Sequence, residues 1–344
     1  MLTRLPAPLP VLILTGSLGA GKTTLLNAAL CSGVLRDAAV VVNEFGAVGI
    51  DHALVERSNE EVVLLPGGCV CCEVRADLVE ALLRLGRAVT RGEMPAFERV
   101  VVETSGLAEP GPILQLFAES AALAGRYRLE AIVTLVDALF APAALAHENE
   151  SWRQVVLADR LLVTHAESLA PDVVASLQAR LAELNPHAPQ ALADRGVIDQ
   201  AWFEPAAPRV GRVVPTRALR AAHDDAVSAF ILEWTSAEPM AVIGRWLHEL
   251  ADGCGARLLR VKGIVAIEGD ARSLVLHLVQ HRVGRPEYLD RPCTTSQVVL
   301  ITRGLEPGDV MPPWPVSVRL APSSQNPSSP ISFRGSLLPP PMSA

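Results

Sequence analysis

Gly-Ser-Leu-Gly-Ala-Gly-Lys-Thr-Thr, residues 16–24, has the pattern of the phosphate-binding loop of nucleoside triphosphatases. The apolar run 11–14 precedes it and predicts a buried strand, and residues 25–30 follow it and predict the start of a helix. Strand, glycine-rich turn and helix, in that order, form the context that gives the motif its meaning. The glycines let backbone N–H groups close around phosphate oxygens, and the helix N-terminus favours negative charge there.

The motif assigns roles to individual residues of this loop. Lys22 is expected to reach the β- and γ-phosphates and to act as a catalytic residue, and the Thr23 hydroxyl is expected to bind Mg²⁺. The residues predicted to bind the nucleotide here are Gly16, Ser17, Gly19, Ala20, Gly21, Lys22, Thr23 and Thr24.

Short β-branched runs alternate with helical patterns over the first part of the chain. The runs at 40–42, 62–64, 100–102, 131–136 and 161–163 predict buried strands, and stretches such as 77–87 and 113–123 predict helices. Continuously apolar strands separated by helices indicate a mostly parallel sheet that is covered on both faces. The predicted fold class is therefore α/β, and ligands are expected outside the carboxyl ends of the strands.

The later part of the chain predicts a second unit and a tail. The nucleotide-binding domain is predicted over residues 9–205, and a Pro- and Ala-rich linker with one short strand at 213–214 leads to a small α+β domain over 225–305. Residues 306–344 are rich in Pro and Ser, a composition that predicts a disordered tail without a packed core.

Composition and charge exclude several classes of protein. The 344 residues carry a net charge of −7, which argues against the basic clustering of a nucleic-acid-binding surface. No apolar run approaches the roughly 20 residues that span a bilayer, and the N-terminus lacks the layout of a secretion signal. We therefore expect a cytoplasmic protein with no nucleic-acid or membrane partner.

Three of the six cysteines, Cys69, Cys71 and Cys72, lie together after two glycines. Thiolates are soft ligands that select Zn²⁺ and similar ions, and a reducing cytosol disfavours structural disulfides. Cys69 and Cys71 share a face of an extended segment, whereas Cys72 joins them only if the loop turns. The cluster predicts a metal site with a fourth ligand from elsewhere; a redox pair and simple burial are the alternatives.

Two carboxylates end predicted strands. Glu103 follows the run 100–102, and an apolar strand that ends in a carboxylate is the second half of a P-loop enzyme, where the side chain faces the Mg²⁺ shell and is counted here as catalytic. Gly106, just beyond it, could donate its N–H to the γ-phosphate. Glu44 ends the run 40–42 and is predicted to meet Mg²⁺ or a second metal, although alone it is an ordinary solvated or helix-capping carboxylate.

Together these segments resemble the CobW-like metal-chaperone branch of the P-loop GTPases. The resemblance rests on residues 15–27, 43–51, 68–72 and 103–110, with shorter matches at 136–138, 158–160 and 259–263, and it covers about residues 10–305. It implies a GTPase that binds GTP and GDP with Mg²⁺, holds Zn²⁺ or Co²⁺ at the cysteine cluster, and delivers that ion to a client metalloprotein or a cobalamin pathway. A homodimer is compatible with it.

The chain departs from the family pattern at three places. Thr164-His165-Ala166-Glu167 stands where the family has Asn/Thr-Lys-x-Asp, so Thr164, His165 and Glu167 are the predicted guanine contacts, with a carboxylate one methylene longer than aspartate. Ala47 replaces a glutamate that could bind metal. Only His223, beside two acidic residues, stands where many relatives have a histidine-rich loop.

The sequence leaves three functional hypotheses. The leading one is a GTP-hydrolysing metallochaperone in which the γ-phosphate orders the loops around Glu44, Cys69 and Glu103. The altered guanine motif favours the second, a non-hydrolysing metal-binding adaptor with degenerate guanine specificity. A P-loop kinase with a small-molecule acceptor is the third, and no lid-like arginine cluster supports it.

Overall fold

The computed structural model describes residues 8–43, 62–65, 73–146, 149–193, 202–203, 227–279, 282–283, 286–314 and 317–320. They form two sheets, each with its own apolar core. None of the helices in these ranges is long and apolar enough to cross a membrane.

The first sheet is parallel throughout and contains the strands that the sequence predicted. Its strand order is β3-β2-β4-β1-β5-β6-β7. The strands are β1 Leu9–Gly16, β2 Ala38–Asn43, β3 Val62–Leu65, β4 Arg99–Glu103, β5 Tyr127–Asp137, β6 Arg160–Thr164 and β7 Gln190–Leu192. All six neighbouring pairs are parallel, which confirms the predicted α/β class.

Helices cover both faces of this sheet. They are α1 Lys22–Cys31, α2 Glu73–Thr90, α3 Pro110–Glu119, α4 Ala141–Ala144, α5 Glu150–Val156 and α6 Pro171–Leu184. Alternate residues of β1 point to opposite faces, so Val11 and Ile13 join the core under α2 and α3 while Leu12 and Leu14 join the core under α1. Burial on both faces explains why the strand is continuously apolar in sequence.

The second unit is an antiparallel sheet with one long helix, as the predicted small α+β domain requires. Its strand order is β11-β10-β9-β13-β8-β14, and β12 pairs with β10. The elements are β8 Val227–Trp234, α7 Met240–Cys254, β9 Leu258–Ala266, β10 Ser273–Val279, β11 Arg282–Val283, β12 Glu287–Leu289, β13 Ser296–Arg303, α8 Pro307–Val310 and β14 Ser317–Leu320. Ile243, Trp246 and Leu250 bury one face of α7 against the strands.

The prediction of a disordered tail from Glu306 is wrong for the part of that segment that the structure describes. A reciprocal cap between Glu306 and Asp309 begins α8, and β14 pairs antiparallel with β8. Val310 is fully buried, and the Trp314 ring lies edge-on to Trp234 and Trp246 at centroid distances of 5.7 and 5.5 Å. Buried Val310 and Trp314 thus anchor a segment whose proline content predicted no packed structure. Residues 321–344 lie outside the described ranges.

A buried ion cluster joins the two units. Asp159 precedes β6, and both of its carboxylate oxygens accept hydrogen bonds from the Arg260 guanidinium on β9 at 3.0 and 2.9 Å. The Lys262 ammonium donates to the same carboxylate at 2.5 Å, and the Ile132 amide of β5 donates to it at 2.9 Å. Burial by itself raises the pKa of Asp159, but Arg260 and Lys262 outweigh it and hold the pKa well below its ordinary value. The cluster brings together residues 158–160 and 259–263, two of the segments that carry the family resemblance.

We expect Asp159→Asn to lower the free energy of unfolding by about 3–5 kcal/mol, because it leaves the buried Arg260 guanidinium and the partly exposed Lys262 ammonium without their counter-ion. Urea denaturation followed by circular dichroism measures the change. Since the folded-state pKa of Asp159 is lowered, the stabilisation is present above about pH 4 and is lost as the pH falls through the folded-state value.

Glu183→Gln is the matched control for this prediction. It breaks an exposed ion pair with Arg180 at 3.0 Å, and such pairs contribute about 0–1 kcal/mol. Equal effects of the two substitutions would contradict a stabilising role for the buried cluster.

Candidate nucleotide-binding site

The predicted phosphate-binding loop lies at the carboxyl end of β1 and leads directly into α1. Gly19 and Gly21 have φ angles of 78° and 85°, which side chains with a Cβ rarely adopt, and Gly21 is the N-cap of α1. Gly16 approaches β5 so closely that a Cβ there would lie 2.4 Å from the Leu135 carbonyl oxygen. The loop therefore turns tightly enough to direct its amides inward, as phosphate binding requires.

Lys22 is held at the centre of this loop. Its ammonium donates hydrogen bonds to the carbonyl oxygens of Gly16 at 2.8 Å and Ser17 at 2.9 Å, and the residue is buried. The loop backbone thereby positions the positive charge where phosphate oxygens would be bound.

Thr23 and Glu103 come together across β1 and β4. Parallel pairing sets Glu103 opposite Leu14, and the Thr23 hydroxyl donates to the Glu103 carboxylate at 2.6 Å. Glu103 is only 4% exposed. Hydroxyl and carboxylate oxygens are the hard ligands that Mg²⁺ prefers, and a buried carboxylate favours a nearby cation, so these two residues fit the predicted Mg²⁺.

The segment after β4 packs directly on the phosphate-binding loop. The Thr104 amide donates to the Leu14 carbonyl at 2.9 Å, and its hydroxyl donates to the Thr15 hydroxyl at 2.8 Å. At Gly106 a Cβ would lie 2.4 Å from the Leu18 backbone nitrogen. Only glycine fits this approach, so the backbones of the two loops lie in direct contact.

The three predicted guanine contacts, Thr164, His165 and Glu167, differ from one another in burial and in hydrogen bonding. The Thr164 hydroxyl, at the end of β6, donates to the Ala20 carbonyl at 3.0 Å and so braces the phosphate-binding loop. His165 has a φ of 57°, and its Nδ1 lies 3.1 Å from a carboxylate oxygen of Asp137. Glu167 is exposed in the 3-10 turn Ala166–Ser168. Their role in base recognition stays a prediction.

Two further side chains at this site received no role from the sequence. Asp137 ends β5 almost fully buried, and its carboxylate accepts from the Leu139 amide at 2.9 Å. Gln154, on α5, lines a small pocket together with Ser17 and Asp137. A carboxylate ending an apolar strand was a signal for Asp137, whereas a glutamine within a helix carries none.

The predicted metal ligands Glu44, Cys69, Cys71 and Cys72 lie outside the described residues. Within the ranges that the structure covers, no three His, Cys, Asp or Glu side chains are grouped so that they could hold a metal ion. Thr24, also predicted to bind the nucleotide, is exposed in the first turn of α1.

Comparison with known families gives two matches in chain order. Residues 10–191 match the CobW/HypB/UreG nucleotide-binding domain, and residues 228–311 match the cobalamin synthesis protein cobW C-terminal domain. The two matches correspond to the parallel and the antiparallel sheet.

Individual relatives agree with these matches. The chain is 32% identical over 278 residues to the zinc chaperone YjiA of Escherichia coli, which covers 79% of this chain and 86% of that protein. It is 32% identical over 207 residues to the zinc chaperone CobW of Pseudomonas aeruginosa, covering 51% of this chain and 54% of that protein. The crystal structure of Zn(II)-bound YjiA GTPase from E. coli superposes with a TM-score of 0.62 at 28% identity, covering 88% of this chain and 96% of that one.

We expect Gly106→Ala to weaken nucleotide binding at least about tenfold, a loss of roughly 1.4 kcal/mol, because the added methyl group must displace the backbone of Leu18. Titration with a fluorescent guanine nucleotide measures the dissociation constant. Gly111→Ala is the control, since a Cβ there meets only the Leu157 side chain at 4.0 Å. Unchanged affinity in Gly106→Ala would show that the contact between the two loops does not shape the site.

Proposed function

This chain belongs to the CobW/HypB/UreG family of P-loop nucleotide-binding proteins, and we propose that it is a GTP-hydrolysing metallochaperone that binds Zn²⁺ and transfers it to a client metalloprotein. The observation that carries the proposal is the hydrogen bond between Thr23 and Glu103 beside Lys22, in a chain with both CobW domains. Relatives named as zinc chaperones support zinc as the cargo.

Each residue of the site has a definable task in GTP hydrolysis. The loop amides and Lys22 bind the β- and γ-phosphates and offset the charge that develops during transfer. Thr23 and Glu103 would hold Mg²⁺, which when bound neutralises phosphate charge. Gly106, packed on Leu18, would respond to the γ-phosphate by donating its N–H to it.

The cargo site is proposed at Cys69, Cys71 and Cys72, with Glu44 as a further ligand. These cysteines follow β3, and Glu44 follows β2, its parallel neighbour. The carboxyl ends of parallel strands share one edge of the sheet, which is also the edge of the phosphate-binding loop. Cargo ligands at this edge would allow phosphate contacts to govern metal retention. Co²⁺ is an alternative cargo with compatible ligand chemistry.

The altered guanine motif supports a second candidate function. The chain would then be a metal-binding adaptor that neither hydrolyses GTP nor selects guanine strongly. The observations that favour it are the Thr164 hydroxyl, which is engaged with the Ala20 carbonyl, and Glu167, which is exposed. Under this alternative the chain would still hold metal, but nucleotide identity would not affect it.

Nucleotide affinity separates the two functions. We expect a dissociation constant for Mg²⁺–GTP at least about tenfold below that for Mg²⁺–ATP, a preference of roughly 1.4 kcal/mol that increases when Zn²⁺ is present. Isothermal titration calorimetry measures both nucleotides with and without Zn²⁺.

Lys22→Ala should abolish GTP hydrolysis and metal transfer, whereas Arg180→Ala, at an exposed position of α6, should change neither. Equal or negligible affinities for GTP and ATP favour the adaptor, and metal transfer that survives Lys22→Ala contradicts the chaperone.

The cargo site is tested separately with Co²⁺ as a spectroscopic probe. We expect thiolate-to-Co²⁺ charge-transfer absorption in the native chain and its loss when Cys71 and Cys72 are both changed to Ser, because serine oxygen provides no such transition. Changing Cys31 and Cys254 to Ser is the control and should leave the band intact. Absorption that persists in the Cys71/Cys72 variant would place the metal elsewhere.

A further inference from the structure

Gln154 joins helix α5 to the loop that follows β4. The side chain is 1% exposed, and its amide nitrogen donates to the Ala108 carbonyl at 3.0 Å and the Gly106 carbonyl at 3.3 Å. The Thr134 hydroxyl of β5 donates to the Gln154 backbone carbonyl at 2.9 Å. The helix is therefore bonded both to β5 and to this loop, and the loop includes the glycine that packs on Leu18.

A second contact strengthens the same connection. The guanidinium of Arg153, the preceding residue of α5, is paired with the carboxylate of Glu109 at the other end of the loop. This pair is exposed, so we assign it a smaller contribution than the two hydrogen bonds of the buried Gln154 side chain.

The opposite side of α5 contacts the second unit. The Arg303 guanidinium, at the end of β13, lies 5.4 Å from the ring centroid of buried Trp152. Ile301 of the same strand belongs to one apolar cluster with Trp152 and Val155. Arg260 of β9 donates to the carbonyl of Leu157, the C-cap of α5. The helix thus contacts the antiparallel sheet through Trp152, Val155 and its C-cap, while Gln154 binds the loop that follows β4.

We propose that α5 couples the nucleotide site to the second unit, and that Gln154 is the positioning residue at its nucleotide end, an inference that rests on the proposed GTPase function. A seven-residue helix extends only about 10 Å, so a shift of the Gly106 loop reaches Trp152 without intervening loops. Packed elements of this kind move as units between discrete arrangements. The coupling is reciprocal: the state of the second unit must affect GTP and GDP binding unequally.

A double-mutant cycle tests this coupling. Gln154→Leu removes the two amide donors at nearly constant volume, and Arg303→Met removes the cation over Trp152. The measured quantity is discrimination, the ratio of dissociation constants for GDP and a non-hydrolysable GTP analogue with Mg²⁺. We expect Arg303→Met to change this ratio about fivefold in the native background and to change it little when Gln154 is leucine.

The ratio distinguishes coupling from loss of structure, because general destabilisation weakens both nucleotides together. Gln190→Leu is the matched control. Gln190 lies on the edge strand β7, and its side-chain amide also donates to a helix carbonyl, that of Gln178 on α6, at 3.0 Å. In that background the effect of Arg303→Met should persist in full. If Gln154→Leu fails to fold, as judged by circular dichroism, Gln154→Met replaces it, since the unbranched methionine side chain has a similar length, adapts to the site and carries no N–H donors.

The outcomes separate this inference from the proposed function. The coupling is overturned if the two substitutions change the GDP-to-GTP-analogue ratio independently, so that their effects multiply in the double variant. It is also overturned if neither substitution changes that ratio. Both outcomes leave the GTPase proposal intact. Failure of the native chain to bind either guanine nucleotide overturns both.

Discussion

Parallel pairing of β1 with β4 is the constraint on which the nucleotide-binding half of this molecule depends. It sets Glu103 opposite Leu14, and so brings a carboxylate within 2.6 Å of the Thr23 hydroxyl at the start of α1. It also lays Gly106 against the backbone of Leu18. Residues about eighty positions apart in sequence therefore form one site, and each half of that site is incomplete without the other strand.

The second unit is attached to the nucleotide-binding half by contacts between residues that are distant in sequence. Its sheet is fastened to the first by the buried Asp159–Arg260 pair, and it lies against α5 through Arg303 and Trp152. A buried ion pair is a costly way to gain stability, but it specifies one relative orientation of two surfaces. Under the proposed function, such a defined orientation would allow the second unit to respond to the nucleotide state.

Much of the fold could be predicted from the sequence because its determinants are local. Continuously apolar runs marked the strands of the parallel sheet, and the glycine pattern marked the phosphate-binding loop together with Lys22 and Thr23. Prediction failed where a few residues decided the outcome. Val310 and Trp314 bury a segment whose proline content indicated disorder.

The sequence by itself determined the backbone conformation of the loop and the alternation of strand and helix, since positive φ angles and apolar periodicity depend on neighbouring residues alone. Only the tertiary structure decided that Gln154 holds the Gly106 loop and that Arg260 meets Asp159. Such contacts arise when the sheet brings distant segments together. Glutamine and arginine side chains are common on helices and strands, and only burial opposite a particular carbonyl or carboxylate gives them a role.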